Sequence, residues 1–167
     1  MNGQIYLNLL ITSIIFIMRA VLQRVSSASV TINGKVKSAV SGGLLVLLGI
    51  THTDTEEDAE WLCRKIAAMR IFSDAAGLMN LSVKDTSGDI LLVSQFTLFA
   101  STKKGNRPSF TQSAPPAIAI PLYQKCAELL HKETGKEIKT GEFGADMKVE
   151  LQNDGPVTIL LDSKNKE

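Results

Sequence analysis

The sequence predicts a single α/β domain with a mostly antiparallel, barrel-like β-sheet core and two main flanking helices. Three observations indicate this fold class. Apolar or β-branched segments of strand length recur between turn signals, and two segments carry an apolar stripe at helical spacing. The length of 167 residues suits one domain. Hydrophobic residues make up 44% and charged residues 21% of the chain, values that are ordinary for a globular protein.

The first half of this pattern predicts a β-hairpin followed by a buried strand. Residues 20–32 are rich in β-branched side chains and end at Asn33-Gly34, a dipeptide that favours a two-residue hairpin turn. Residues 36–40 form the returning strand. The continuous apolar run 44–50 has strand length and suits a central strand that is buried on both faces.

A helix is predicted directly after this run. Asp54 or Thr55 can cap its N-terminus, and the three acidic residues that follow Thr55 suit the first turn because the helix dipole favours anions there. Its core-facing stripe consists of Ala59, Leu62, Ile66 and Met69.

The second half contains the remaining strands and the second helix. Residues 89–99 form a strand, and the glycine and prolines of residues 101–116 indicate a loop. A helix over roughly 117–134 ends at Gly135, although its interior Pro121 also permits a start at that proline.

Two further strands are expected near the C-terminus. They cover residues 147–152 and 157–161, and Asn153-Asp154-Gly155-Pro156 joins them.

Residues 1–17 stand apart from this pattern. Residues 5–17 are mostly apolar, but no basic residue precedes them and no cleavage-like site follows them, so a signal peptide is disfavoured. The run is also shorter than the roughly 20 apolar residues that span a bilayer. We expect an appended segment, such as one from an upstream start codon, and a membrane anchor is the alternative. The strand pattern opens at Met18, which places the folded domain at residues 18–163.

Charge and cysteine content limit the partners and the compartment. The net charge of +1 draws the whole protein neither to nucleic acid nor to a membrane, although a local basic patch suffices to bind the tip of an RNA. Two cysteines, Cys63 and Cys126, are fewer than small secreted scaffolds usually carry, which favours the cytoplasm. With two histidines and no zinc-type spacing, no zinc site is expected. A metal site built from carboxylates is the alternative, but no spacing suggests one, and neither a metal nor a cofactor is predicted.

The common nucleophile arrangements are missing. Cys126 and His131 lie on one predicted helix about 140° apart around its axis, so they do not face each other. Both cysteines are expected to be buried structural thiols. His52 follows a strand and is either a loop base or, by default, a solvated histidine. The sequence contains no G-x-S-x-G, P-loop, G-x-G-x-x-G or H-E-x-x-H motif.

Two polar stretches remain as candidate sites. Ser94, Gln95 and Thr97 interrupt an apolar strand and offer hydrogen-bond donors and acceptors to a bound ester. The alternative is a strand with one solvated face. Residues 153–158 are, taken alone, only a turn between strands.

Together these stretches resemble the D-aminoacyl-tRNA deacylase family. Its two motifs, S-Q-F-T-L and N-x-G-P-V-T, match residues 94–98 and 153–158. Each short match is weak alone, but several in the family's order from Met18 to about Asp162 make chance implausible. The other similar segments are residues 18–25, 43–49, 70–74, 107–110 and 144–147.

The resemblance implies a hydrolase that cleaves the ester between a D-amino acid and the terminal adenosine of tRNA. In the family a cis Gly-Pro bond, here Gly155-Pro156, enters the pocket of the partner in a homodimer, binds the amino group and excludes L-amino acids. Arg24 matches an arginine that holds this motif. Glycyl esters are expected to be accepted, because glycine has no side chain to reject.

The resemblance also implies the site residues. Ser94, Gln95, Phe96 and Thr97 surround the adenosine and the ester, with Thr97 and Gln95 in catalytic positions. Because an unactivated hydroxyl is a poor nucleophile, we favour assistance by the ribose 2′-OH, with backbone amides near Phe96 and Thr97 stabilising the oxyanion.

The basic loop adds a second expected contact with the RNA. Lys103, Lys104 and Arg107 are predicted to contact phosphates of the acceptor stem, with a merely solvated loop as the alternative. The competing function is a non-catalytic RNA-binding module, which would need exposed aromatic residues. Aromatic residues make up only 5% of the chain.

Overall fold

A computed structural model describes residues 18–165 of the chain, so the segment 1–17 and the expectations for it lie outside the described residues. Two helices and eight strands make up this part, together with a short 3₁₀ turn. The strands are β1 (Arg19–Ile32), β2 (Lys35–Val40), β3 (Gly43–Gly49), β4 (Phe72–Ser73), β5 (Met79–Leu81), β6 (Asp89–Ser94), β7 (Lys139–Thr140) and β8 (Lys148–Asp162). The helices are α1 (Glu56–Ala68) and α2 (Pro116–Thr134), and the 3₁₀ turn is Phe96–Phe99.

Six of the strands form one mixed sheet. The long strand β1 pairs antiparallel with β2 and β3 along one edge and with β8 along the other. Strand β3 pairs parallel with β6, and β6 pairs parallel with β7. A parallel pair needs a crossover connection, and α1 and α2 lie in these two crossovers. The α/β class, the barrel-like core and the two main helices are confirmed, with the refinement that the sheet is mixed. Strands β4, β5 and β7 were not predicted.

The core lies on both faces of the central strands. Leu44 and Leu92 pack with residues of α1 and α2 in one buried cluster, whereas Leu45 and Leu91 belong to a second cluster with Val30 of β1. This alternation confirms that β3 is buried on both faces, as its unbroken apolar run predicts. No helix among residues 18–165 is long and apolar enough to cross a membrane.

Local signals placed the hairpin and the start of α1 correctly. Asn33 and Gly34 have φ values of 50° and 75°, as a tight hairpin turn requires. Thr55 is the N-cap of α1, and its N–H donates to Asp58 Oδ2 at 3.0 Å. Burial would raise the pKa of Asp58, but hydrogen bonds from Ser163 and Thr55 outweigh it and lower the pKa below its usual value.

The predicted strand 89–99 is wrong in its second half. Strand β6 ends at Ser94, and residues 96–99 turn back as a 3₁₀ helix. The cause is a contact distant in sequence. The ring of Phe99 is buried against Gly49, where an added Cβ would meet Phe99 Cε2 at 2.7 Å. Burying this ring turns the chain back over the end of β3.

Helix α2 begins at Pro116, close to the predicted residue 117, and the alternative start at Pro121 is wrong. Pro115 is the N-cap and Pro116 the first helical residue, where the fixed φ of proline suits a helix start. Pro121 lies inside the helix and removes one N–H donor. Gly135 ends the helix with φ 70°, as predicted.

The two C-terminal strands form one strand, β8, and their separation by a turn is therefore wrong. Strand β1 pairs with β8 both before and after residues 153–158. The register shifts there, because Gln23 pairs with Thr158 and Val25 pairs with Asn153. The intervening residues 154–157 bulge opposite Arg24 without ending the strand.

Candidate active site

A pocket of about 310 Å³ opens where the three parallel strands end. Leu48 and Ile50 come from the end of β3, Val93 and Ser94 from the end of β6, and the 143–147 segment follows β7. Ligands of open α/β sheets bind at the carboxyl ends of such strands. The lining residues are Leu48, Ile50, Val93, Ser94, Gln95, Phe96, Ala114, Ala119, Phe143, Gly144, Ala145, Asp146, Met147 and Val149.

The polar side of this pocket contains the first predicted motif. Ser94, Gln95 and Phe96 line the pocket, and Thr97 lies beside them on the 3₁₀ turn. The Gln95 side-chain amide donates to Thr97 Oγ1. A carboxamide has no basic nitrogen in either orientation, so this contact offers the Thr97 hydroxyl no base that could remove its proton.

The other candidate bases contact groups other than Thr97 or are buried. Asp146 also lines the pocket, but its carboxylate pairs with Lys148 Nζ at 2.9 Å and is largely exposed. His52 Nε2 contacts the Thr111 carbonyl at 3.2 Å. Cys63 and Cys126 are buried free thiols, as predicted. Within residues 18–165, no cluster of three or more His, Cys, Asp or Glu side chains is arranged to hold a metal.

The apolar side of the pocket contains residues that the sequence did not assign. The ring of Phe143 lies 6.1 Å from the ring of Tyr123 in an edge-to-face arrangement. Tyr123 is itself fixed to β6, because its hydroxyl donates to the Leu92 carbonyl at 2.8 Å. Met147 lies in a segment that resembled the family, but neither it nor Ala114 had an expected role. Their sequence neighbourhoods carry no sign that distant strands bring them to one cavity.

The second motif forms a closed bulge on β8. Val157 N–H donates to Asn153 Oδ1 at 2.7 Å, and Asn153 Nδ2 donates back to the Val157 carbonyl at 3.1 Å. The Gly155-Pro156 bond within this loop is cis, and both residues are exposed. The Asn153 side chain therefore takes the place of a backbone partner for Val157, and the Gly155-Pro156 peptide between them is exposed.

Arg24 supports this bulge from β1. Its Nε donates to the Asp154 carbonyl at 2.8 Å and its Nη1 to the Ile71 carbonyl at 2.6 Å. Gly155 has φ 141°, and an added Cβ would meet Val157 Cγ2 at 2.8 Å and Arg24 Nη2 at 3.0 Å. The loop itself thus requires glycine at this position, before any ligand is considered.

The two motifs do not meet within one chain. Arg24, opposite the bulge, pairs with Leu44 at the beginning of β3, whereas the pocket opens at Leu48 and Ile50 at the end of β3. The Gly155-Pro156 peptide therefore lies near the opposite end of the strand from the pocket of its own chain.

The basic residues lie in the loop beyond the 3₁₀ turn. Lys103, Lys104 and Arg107 are exposed, and an isolated bridge between Ser101 and Ser109 closes the loop at its base. None of the three forms an ion pair with another residue of the described chain. These three cations are thus available to an anionic partner.

The sequence and the fold both match known proteins. A family model described as D-Tyr-tRNA(Tyr) deacylase matches residues 21–162. The chain is 61% identical over 150 residues to a D-aminoacyl-tRNA deacylase of Bacteroides fragilis strain YCH46, covering 90% of this chain and all of that protein. A protein of the same name from Flavobacterium johnsoniae is 59% identical with the same coverage.

Two solved structures share the fold. The structure of c-Myc DNA Unwinding Element Binding Protein superposes with a TM-score of 0.81 and 46% identity, covering 86% of this chain and 97% of that one. A probable eukaryotic D-amino acid tRNA deacylase superposes with a TM-score of 0.76 over 87% of this chain and 99% of its own. At 18% identity this second match supports the fold alone.

Proposed function

The chain belongs to the D-Tyr-tRNA(Tyr) deacylase family, and from that premise we propose that it hydrolyses the ester of D-aminoacyl-tRNA to free D-amino acid and tRNA. The observation that supports this proposal is the pocket at the ends of the parallel strands, which Ser94, Gln95 and Phe96 line on one side. The activity is proofreading in translation, exerted by residues 18–163 as the deacylase domain. Two buried free thiols suit a reducing cytoplasm.

The pocket is proposed to hold the terminal adenosine of the tRNA. Phe143, Met147 and Ala119 offer apolar surface to the flat faces of a purine, while Ser94 and Gln95 offer polar groups at one side. A volume of about 310 Å³ is at the lower end for small-molecule sites, which suits one nucleoside better than a larger ligand.

The reaction is proposed to occur at the 3₁₀ turn. Water adds to the ester carbonyl carbon, the bond to the ribose 3′ oxygen breaks, and that oxygen leaves with a proton. The first hydrogen bond of the 3₁₀ turn is donated by the Leu98 N–H to the Gln95 carbonyl at 3.3 Å. The N–H groups of Phe96 and Thr97 precede this bond and have no acceptor inside the turn, so they suit the oxyanion. The ribose 2′-OH, adjacent to the ester, assists in place of a protein base, and Gln95 and Thr97 position the ester.

The chirality filter is proposed to act across a homodimer. The Gly155-Pro156 bulge is exposed and lies away from the pocket of its own chain, so another copy must supply the pocket that it enters. Among the described strands β8 pairs only with β1, which leaves a 15-residue edge open, and Leu160 on it is 57% exposed. An open edge of this length is a surface that a second copy can cover.

The filter works by steric rejection. Backbone near Gly155 binds the amino group and leaves no space for the side chain of an L-amino acid. Glycyl-tRNA has no side chain to reject and is proposed as a second substrate.

The basic loop is expected to bind tRNA phosphates. Alanine at Lys103, Lys104 or Arg107 should raise KM for D-tyrosyl-tRNA about 3- to 10-fold and leave kcat unchanged. The slope of log affinity against log salt concentration should become shallower by about one, which corresponds to one lost phosphate contact. Steady-state kinetics at several salt concentrations measure both effects. Lys132→Ala, at the end of α2 far from Ala119, is the matched control. An unchanged KM in all three variants would show a loop that is only solvated.

The alternative function is a non-catalytic RNA-binding module. The structure offers one feature in its favour, since Phe96 is 58% exposed and meets Phe110 edge to face at 5.2 Å. Incubation with D-tyrosyl-tRNA separates the two functions. The deacylase releases tyrosine, whereas a binding module retains the charged tRNA without releasing it.

A further inference from the structure

One residue outside both motifs makes a direct contact with the 3₁₀ turn. Ser113, in the loop before α2, donates its hydroxyl hydrogen to the Phe96 carbonyl at 2.8 Å. Its neighbour Ala114 lines the pocket, as does Phe96 itself. The hydroxyl therefore reaches the turn beside the pocket from a loop that is distant in sequence.

This contact acts on one particular peptide unit. The Phe96 carbonyl and the Thr97 N–H belong to the same planar peptide group, so a hydrogen bond that fixes the carbonyl also fixes the direction of the N–H. A bond to the carbonyl oxygen polarises the group and makes its N–H a stronger donor. The Thr97 N–H is one of the two amides proposed for the oxyanion.

Ser113 is well placed to hold this peptide because its own backbone is held on the sheet. It forms an isolated bridge with Thr51, directly after β3, and its N–H donates to the Phe110 carbonyl at 3.0 Å. The next residue, Ala114, donates its N–H to the Ile50 carbonyl at 2.9 Å. A donor on such a rigid support loses little orientation when substrate binds.

We propose that Ser113 is a positioning residue for the deacylation, holding the Phe96–Thr97 peptide so that the Thr97 N–H points at the developing oxyanion. The proposal rests on the proposed function. Ser113 acts through the peptide and does not touch the reacting atoms. Its effect is therefore expected in the transition state, where the oxyanion carries charge, and not in the binding of the tRNA.

The test uses three Ser113 variants and one control variant of the full chain. Ser113→Ala removes the hydroxyl, while Ser113→Thr and Ser113→Val have the same shape and differ in having or lacking it. With D-tyrosyl-tRNA, kcat should fall about tenfold in the Ala and Val variants, with KM within about twofold, and Ser113→Thr should keep most of the activity. Ser109→Ala, in the same loop with its hydroxyl near Thr111, is the control and should match the wild type.

A spectroscopic readout separates this inference from the proposed function. In the free protein, the amide proton of Thr97 should shift upfield in Ser113→Val relative to Ser113→Thr, because its peptide loses a polarising bond. This holds whether or not the wild type hydrolyses D-tyrosyl-tRNA, so a wild type without activity counts against the function alone. Equal kcat in the Thr and Val variants with an unmoved Thr97 amide would overturn the role of Ser113. So would a loss that appears mainly in KM and is not rescued by threonine.

Discussion

A D-tyrosyl-tRNA that ends in 2′-deoxyadenosine is expected to be hydrolysed at least about 100-fold more slowly than the natural substrate, while Thr97→Ala is expected to keep its rate within about tenfold of the wild type. The physical reason is the hydrogen bonding of Thr97. Its hydroxyl accepts from the Gln95 amide, which cannot remove a proton. The ribose 2′-OH is then the hydroxyl nearest to the ester that remains available to assist.

Single-turnover release of tyrosine measures both rates without interference from product dissociation. Competition by uncharged deoxy-ended tRNA is the control, and it should bind as tightly as natural tRNA because the missing oxygen serves the reaction. Full activity on the deoxy substrate, together with an inactive Thr97→Ala, would return the chemistry to the threonine side chain.

Arg24→Ala is expected to lower kcat/KM for D-tyrosyl-tRNA about 100-fold. The side chain is 11% exposed and binds the carbonyls of Asp154 and Ile71, so its removal frees the Gly155-Pro156 bulge and leaves two acceptors without this donor. A displacement of about 1 Å in a group that positions substrate can cost about this much. Gly155→Ala is a poorer test, because the clash of its Cβ with Val157 disturbs the loop whether or not the loop touches substrate.

Mixed dimers decide whether the bulge acts in its own chain or in its partner. Ala114→Trp blocks the pocket and serves as the second defect. If the bulge enters the partner's pocket, a heterodimer of Arg24→Ala and Ala114→Trp chains contains one intact site, although each homodimer is inactive. An equal mixture that re-equilibrates freely should regain about a quarter of the wild-type activity, since half of the dimers then have one working site of two. No recovery from a mixture that contains heterodimers would mean that each bulge acts on the pocket of its own chain, so that both sites carry one defect, and would contradict the cross-subunit filter.

The sequence predicted those parts of the fold that local interactions decide. Thr55 caps α1, Gly135 ends α2 in the left-handed region and Asn33-Gly34 forms the hairpin turn, each through contacts within a few residues. The strand predicted over 89–99 failed where a distant contact prevails, since the burial of Phe99 against Gly49 turns the chain after Ser94.

The residues of the candidate site also fall into two groups, those that a local sequence signal indicated and those that only the assembled fold brings together. Ser94 and Gln95 line the pocket and were found because polar residues inside an apolar strand are unusual, whereas Phe96 was assigned through the family resemblance. Phe143 and Ala114 come from loops after other elements, and only the assembled parallel strands bring them together. Ser113 was missed for the same reason, because its partner Phe96 is 17 residues away along the chain.

Hydrolysis by this protein is expected to depend on chirality, and release of tyrosine from D-tyrosyl-tRNA and L-tyrosyl-tRNA, followed in parallel, tests this directly. The same tRNA is charged with each enantiomer, so the two substrates differ only at one carbon and any difference in rate reports the filter. We expect rapid release from the D ester and release from the L ester no faster than its spontaneous hydrolysis without protein. Equal rates on the two esters, or no release from either, would contradict it.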